Sequence, residues 1–312
     1  MKELDPNAFV VGPDHYHYDG FTTWEETMKP AYSDRGDGKW LIDDFLEAVK
    51  TESADVGKRL IDVWDFHWYP QGAVGGQLVE YVDANASTAA RTAVLNSPRG
   101  FWDDTYDENA WYTDGDHTNG PAMILRRVQD HIAAHYAGTP VGVSEYWPGG
   151  CNTIYSGLDV VDTLGIFQRM NVALGAMWPD CDGPASELRY AYGAFRLVRN
   201  ADGNGLKFAS TFVPVTNPAT AAVEKAELAL SSVYAGSDGK ESITALIVNK
   251  KDTSRRFALR AWHSAPLRTV DIYRIYAASP NPVHVRTDTL TKRNAYLHAA
   301  PAFSATLLVF KN

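Results

Sequence analysis

Val141-Gly142-Val143-Ser144-Glu145-Tyr146-Trp147-Pro148-Gly149-Gly150 is the stretch that decides how the chain is read. Small and apolar residues make a short buried strand, and a carboxylate, two aromatics and a proline–glycine turn follow at once. In a barrel of parallel strands the reactive groups stand at the C-terminal strand ends. A lone acid released there between flat aromatic faces makes Glu145 the first candidate for function.

Working outward, strands alternate with helices on both sides of this segment. Phe9-Val10-Val11 reads as a short buried strand, followed by a helix from Trp40 to Thr51 with Leu41, Phe45, Leu46 and Val49 on one face. Leu60 to Phe66 is the next strand, and after an aromatic loop Pro121 opens a helix carrying Ile124, Leu125, Val128, Ile132 and Tyr136, closed by Gly138. Val141 to Ser144 precedes a helix over Leu158 to Met170. Gly175 to Trp178 precedes a helix with Leu188, Tyr192 and Phe195 on one stripe. Four such units imply α/β architecture, a parallel sheet with helices outside it. Past Arg199–Gly205 the pattern changes to β-rich runs at Phe208–Val213, Ala226–Val233, Ile243–Val248, Val270–Tyr276 and Ala305–Phe310, as in an antiparallel β-sandwich. The expected division is therefore 1–205 for the α/β part and 206–312 for the sandwich. No internal repeat or low-complexity tract is present.

Bulk composition narrows the function. The chain has 312 residues, 45% hydrophobic and 21% charged, enough for one large domain or two modest ones. A formal net charge of −9, with Lys and Arg scattered, argues against a nucleic-acid partner. No apolar run approaches the roughly 20 residues that span a bilayer, and the start Met1-Lys2-Glu3-Leu4-Asp5-Pro6 has no signal-peptide core. Cys151 and Cys181 follow strand ends; they are either a disulfide or unpaired structural thiols, and without a CxxC or histidine spacing they do not suggest a metal.

Asp65-Phe66-His67-Trp68-Tyr69-Pro70-Gln71, Arg99-Gly100-Phe101-Trp102-Asp103, Ser144-Glu145-Tyr146, Leu164-Gly165-Ile166-Phe167, Lys207-Phe208 and Val248-Asn249-Lys250 resemble, in this order, family 44 of the glycoside hydrolases. The resemblance runs along nearly the whole chain. It implies a (β/α)8 TIM-like barrel with an attached β-sandwich, hydrolysis of β-1,4-glucans (cellulose, carboxymethylcellulose, xyloglucan) by the retaining mechanism, and an extracellular setting. No cofactor is implied. Carried over to this sequence, it makes Glu145 the nucleophile on the seventh barrel strand. Asp65, His67 and Tyr69 share one side of the sixth strand by its two-residue period, within reach of Glu145. Trp178 is implied as a flat platform beneath the reacting sugar, since pyranose C–H edges suit an indole face. Tyr146, Trp147 and Trp102 are further substrate-binding candidates, with Trp68 and Trp111 in the loops at the same barrel face.

A retaining glycosidase uses two carboxyl groups about 5–5.5 Å apart. In the resembled family the acid/base sits in an Asn-Glu-Pro-like motif, and this chain has no Asn-Glu dipeptide. Four strand–helix units in place of eight point to the second half of a barrel plus its sandwich. Such a half exposes open sheet edges, so a second copy of the chain or a complementary first half is the expected partner beside the β-glucan. A hydrolytically silent, glucan-binding half is the alternative. Asp14, Asp103 and Asp180 are substitute acids. Asp14 with His15 and His17 suggests a metal only weakly. The acidic loop of Asp103, Asp104, Asp107, Glu108, Asp114 and Asp116 reads as solvated, with structural calcium as the other reading.

Overall fold

The computed structural model describes residues 2, 4–22, 39–83, 85–115, 118–181, 185–239 and 242–312. In chain order the elements begin with β1 (His15–Tyr16), α1 (Asp19–Thr22), α2 (Leu41–Asp55), β2 (Trp64–Trp68), β3 (Ala73–Val74), β4 (Gln77–Leu78) and α3 (Thr88–Asn96). They continue with α4 (Ile124–His135), β5 (Val141–Tyr146), α5 (Ile154–Arg169), β6 (Leu174–Gly175) and α6 (Arg189–Arg199). The last part holds β7 (Thr211–Val213), α7 (Ala221–Leu228), β8 (Ser231–Ser237), β9 (Ser242–Asn249), β10 (Arg255–Arg260), β11 (Thr269–Tyr276), β12 (Ser279–Thr289), β13 (Ala295–Ala300) and β14 (Ser304–Lys311). The described residues form two compact units that interleave along the chain. One comprises 1–71, 99–147 and 170–179, the other 72–98, 148–169 and 180–312.

The first unit is built on a four-stranded sheet in the order β1-β2-β5-β6, every pair parallel. Parallel strands buried on both faces read as apolar runs, and Trp64, Phe66, Val141 and Val143 are buried. Gly142 lets β5 fit between its neighbours: a Cβ there would lie 2.9 Å from Val63 and 3.3 Å from Leu174. The helix α2 runs from Leu41, with Leu41, Ile42 and Leu46 inward, and packs beside α4. The first strand differs from expectation. Phe9 is 69% exposed and Val11 makes only an isolated bridge to Val63, the paired residues being His15 and Tyr16. Pro13 brings no N–H to a ladder and Asp14 has φ 72, so the extended run is broken between the two.

The second unit centres on a six-stranded antiparallel sheet, β12-β11-β14-β9-β8-β7. The β10–β13 pair packs against it, with Ile243, Ile247, Val270, Ile272, Leu308 and Phe310 forming a core that Phe257, Leu259 and Tyr296 join. This is the sandwich. Helices α5 and α6 also pack on the six-stranded sheet, so β14 is buried from Ser304 through Phe310. Glycines set the approach: a Cβ on Gly165 of α5 would lie 2.2 Å from the Tyr234 ring, and one on Gly193 of α6 1.7 Å from the Pro280 carbonyl. The buried face of α6 is thus Tyr190, Ala191, Gly193, Ala194, Leu197 and Val198, not the expected Leu188, Tyr192, Phe195 stripe, and Tyr192 is exposed. The expected strand Ala226–Val233 is also revised, because Ala221–Leu228 is rich in strong helix formers and is helical, with β8 beginning at Ser231. Cys151 and Cys181 form a disulfide within this unit. No described helix is long and apolar enough to cross a membrane.

Candidate functional site

Glu145 stands at the C-terminal end of β5 because of one extra residue. The β2–β5 register runs Phe66↔Val143 and then His67↔Glu145, so Ser144 is bulged out of the ladder. Without the bulge His67 would face Ser144 and Glu145 would face Trp68. A bulge re-aims the side chains beside it, and here it brings Glu145 into the row of His67. The Tyr69 hydroxyl donates to Glu145 Oε2 at 2.7 Å, and His67 Nδ1 lies 3.2 Å from the same oxygen. Glu145 Oε1 accepts no hydrogen bond from the described residues, and the carboxylate is 28% exposed.

The other nitrogen of His67, Nε2, is 2.5 Å from Asp14 Oδ1. An imidazole with a carboxylate at each nitrogen donates to both only as the imidazolium; otherwise one contact is made by a protonated acid. The Ser144 hydroxyl lies 3.1 Å from Asp14 Oδ1 and within hydrogen-bond reach of Asp65, its single proton shared between the two. Asp65 is buried. Burial pushes its carboxyl above the ordinary range, Asp14's charge adding to the rise while the Ser144 hydrogen bond opposes it. Burial likewise holds His15 down at about 4, against the pull of Asp14, so its ring is neutral at neutral pH. The site is a line of acids, Asp65, Asp14 and Glu145, knitted together by Ser144 and His67.

Of the candidates expected here, His67 and Tyr69 reach Glu145 directly. Trp178 is 61% exposed and its backbone N–H bonds the Tyr146 carbonyl at 3.1 Å, continuing along β5 from β6, which is two residues long and shorter than expected. Tyr146 and Trp147 are buried and meet neighbouring side chains rather than solvent. Trp102 is half-buried in the turn after Arg99. Trp68 is buried against Tyr112, and Trp111 lies edge-on to His17 and Tyr112.

Among the substitute acids, Asp103 is buried and held by Arg99 Nε at 2.8 Å and Thr105 Oγ1 at 2.7 Å. Burial alone would raise its carboxyl, but the hydrogen bonds of Thr105 and Arg99 outweigh that and leave it below the ordinary range. In the acidic loop Glu108 takes the Tyr112 hydroxyl and Asp107 the Asn109 N–H. Asp116 lies outside the described residues. Asp14 does not gather with His15 and His17 around a shared point; the described residues that do so are Asp43, His131 and His135. Sequence reading missed that cluster, although His131 and His135 stand at the i,i+4 spacing of one helix face. It also missed the Asp14–His67 contact, which has no local signal.

A parallel α/β sheet with an acid held by a tyrosine and a histidine at a strand end, joined to a β-sandwich, has the organisation of the barrel-type glycoside hydrolases. Residues 1–72 match the family model of glycoside hydrolase family 44. Over 81% of the chain it is 33% identical to endoglucanase A of Paenibacillus lautus, and over 97% it is 29% identical to a β-mannanase/endoglucanase A of Caldicellulosiruptor saccharolyticus. It spans 34% and 23% of the lengths of those relatives. A family 44 endoglucanase from Clostridium thermocellum superposes with a TM-score of 0.85 at 30% identity, covering 99% of this chain and 58% of that one. A family 44 xyloglucanase from Paenibacillus polymyxa gives 0.87 at 25% identity, over 100% and 58%; its structure with xyloglucan matches equally well. The family-model match and the likeness to family 44 enzymes along nearly the whole chain support its placement in glycoside hydrolase family 44.

Proposed function

We propose that this chain carries the nucleophile of a retaining, endo-acting β-1,4-glucan hydrolase, and that the nucleophile is Glu145. The observation that carries the reading is the Tyr69–Glu145–His67 cluster: Oε2 is held from two sides while Oε1 has no partner among the described residues. In this reading Oε1 attacks the anomeric carbon, and the bonds to Oε2 hold the carboxylate in line. Trp178 supplies the exposed ring face for the reacting sugar, with His67, Tyr69 and Trp102 beside it, while Tyr146 and Trp147 back the strand end. Cellulose-type glucans and xyloglucan are the proposed substrates, supported by the endoglucanase and xyloglucanase names of the relatives.

The proton donor of this reading comes from outside the described site. Asp103 is locked to Arg99, and Asp14 meets His67 on the side away from Glu145. A first barrel half, or a second copy, that pairs with the edges β1 and β6 would bring it. Residues 1–205 are then the barrel part and 206–312 the sandwich. An extracellular setting accords with the Cys151–Cys181 disulfide. The same lack of a second acid favours one other reading, a glucan-binding half that is silent alone.

Glu145→Gln tests the nucleophile. The expected outcome is loss of covalent labelling by a 2-fluoro cellobioside with a dinitrophenolate leaving group, which barely needs protonation. The variant should still fold, since Gln keeps the side chain's size and an oxygen that can accept the Tyr69 hydroxyl. Labelling that survives at the wild-type rate removes Glu145 from the mechanism, and failure of the wild type to label where a complete relative does favours the binding-only reading.

A further inference from the structure

Helices α2 and α4 bring together three side chains that the chemistry at Glu145 does not use. His131 and His135 stand one turn apart on α4 and share a face. Asp43, in the first turn of α2, meets both: its Oδ1 lies 2.6 Å from His131 Nδ1 and 3.2 Å from His135 Nε2. The carboxylate is 3% exposed and each imidazole 21%, so the cluster is closed at the acid and open to solvent at the histidines.

Each group is also held from behind. The Trp40 N–H donates to Asp43 Oδ2 at 2.9 Å, which turns Oδ1 toward the histidines. The Trp40 indole stacks on His131 with ring centroids 4.3 Å apart. His135 Nδ1 meets Glu47 Oε1 at 2.8 Å, and Glu47 is in turn held by Lys39 at 2.6 Å.

We propose that Asp43 Oδ1, His131 Nδ1 and His135 Nε2 form a binding site for a divalent transition metal ion, with zinc the best fit and water in the fourth position. Two imidazoles and one carboxylate suit zinc, and all three ligand-type atoms lie within 4.8 Å of one another. Around a tetrahedral zinc, ligand atoms stand roughly 3.2–3.5 Å apart. His135 and Asp43 already have that spacing, and His131 need withdraw by less than about 1 Å. A carboxylate on the far nitrogen of a ligating histidine fixes its tautomer and ring plane, which is the part Glu47 plays for His135. Oxygen-seeking calcium or magnesium would gain only one oxygen here. The ion would clamp two helices whose ligands are 88 residues apart in sequence.

The test is zinc chloride titrated calorimetrically into the whole chain after chelator treatment and removal of the chelator. One zinc ion per chain is expected, with a rise in Tm and, with cobalt(II) as probe, the intense visible absorption of a four-coordinate ion. His131→Asn and His135→Asn should each weaken zinc binding at least tenfold, while His284→Asn, on the sandwich, leaves it unchanged. Folding of each variant is checked by its metal-free circular dichroism. Independently of any variant, crystals of the wild type soaked in zinc should give an anomalous peak within bonding distance of all three atoms. Absence of binding, a peak elsewhere, or full zinc affinity in the His131→Asn/His135→Asn double variant would overturn the proposal.

Discussion

Replacing Lys250 by Met should be the most damaging single change in the sandwich unit. Lys250 Nζ lies 2.6 Å from Asp162 Oδ2, both side chains almost fully buried, and Asp162 Oδ1 accepts the Tyr234 hydroxyl at 2.6 Å. Asp159, one turn earlier on α5, is fully buried with no hydrogen bond among the described residues. Burial pushes its carboxyl well above the ordinary range, an effect Lys250 partly offsets. Removing the cation leaves two acids in a dry site, and breaking a buried pair in this way costs about 3–5 kcal/mol. For a unit of this size each kcal/mol moves Tm by about 2–4 °C, so a fall of about 6–20 °C is expected by differential scanning calorimetry. Replacing the partners together, as Lys250→Met with Asp162→Leu and Tyr234→Phe, should recover most of the loss, because apolar groups of similar volume carry no desolvation debt. A fall of only about 2 °C in the single variant, the size of an ordinary surface change, would refute the reasoning.

Tyr69→Phe removes a charge-assisted hydrogen bond worth about 1.5–3 kcal/mol, so labelling of Glu145 by the activated 2-fluoro glycoside should slow about 10- to 100-fold in stopped-flow mass spectrometry; an unchanged rate means that the bond does not position the nucleophile. His298 is buried, and burial followed by the charges of Arg274 and Arg286 lowers it to about 4 from 6.5. Between those values the unfolded chain holds more protons than the folded one, so stability is lost as pH falls through this window, by at most about 3 kcal/mol. His298→Leu should flatten that part of the pH–Tm curve, and an unchanged slope would contradict the assignment. Reduction of the Cys151–Cys181 bridge, which joins residues 30 apart, should cost about 3–4 kcal/mol on chain-entropy grounds, read as a lower Tm in Cys151→Ser/Cys181→Ser.

A continuous run of small and apolar residues marks β5 and sets Glu145 at its end, and amphipathic spacing marks the helices beside it. It did not show that Ser144 is an extra residue in the ladder, since a bulge exists only relative to the partner strand. It chose the aromatic side of α6 as the buried face, whereas the helix presents Gly193 and alanines to a close backbone approach by Pro280. The apolar residues of Ala226–Val233 suggest a strand, but the strong helix formers before Ser231 make the run up to Leu228 helical. His131 and His135 could be found by spacing, but Asp43 lies in a different helix, and only the fold brings it to them.

The interleaving of the two units sets an order in time. The helix α5 ends at Arg169, yet it packs against β8, β9 and β14, and β14 ends at Lys311. At about 5–20 residues per second of synthesis, the helix leaves the ribosome roughly 7–30 s before its last strand. During that interval Asp159 and Asp162 wait in water, where an unpaired carboxylate is harmless, and the cation at Lys250 arrives before β14 closes the sheet over them. A chain cut near residue 205 would strand α5 in that waiting state, an apolar helix severed from the sheet it was made to cover.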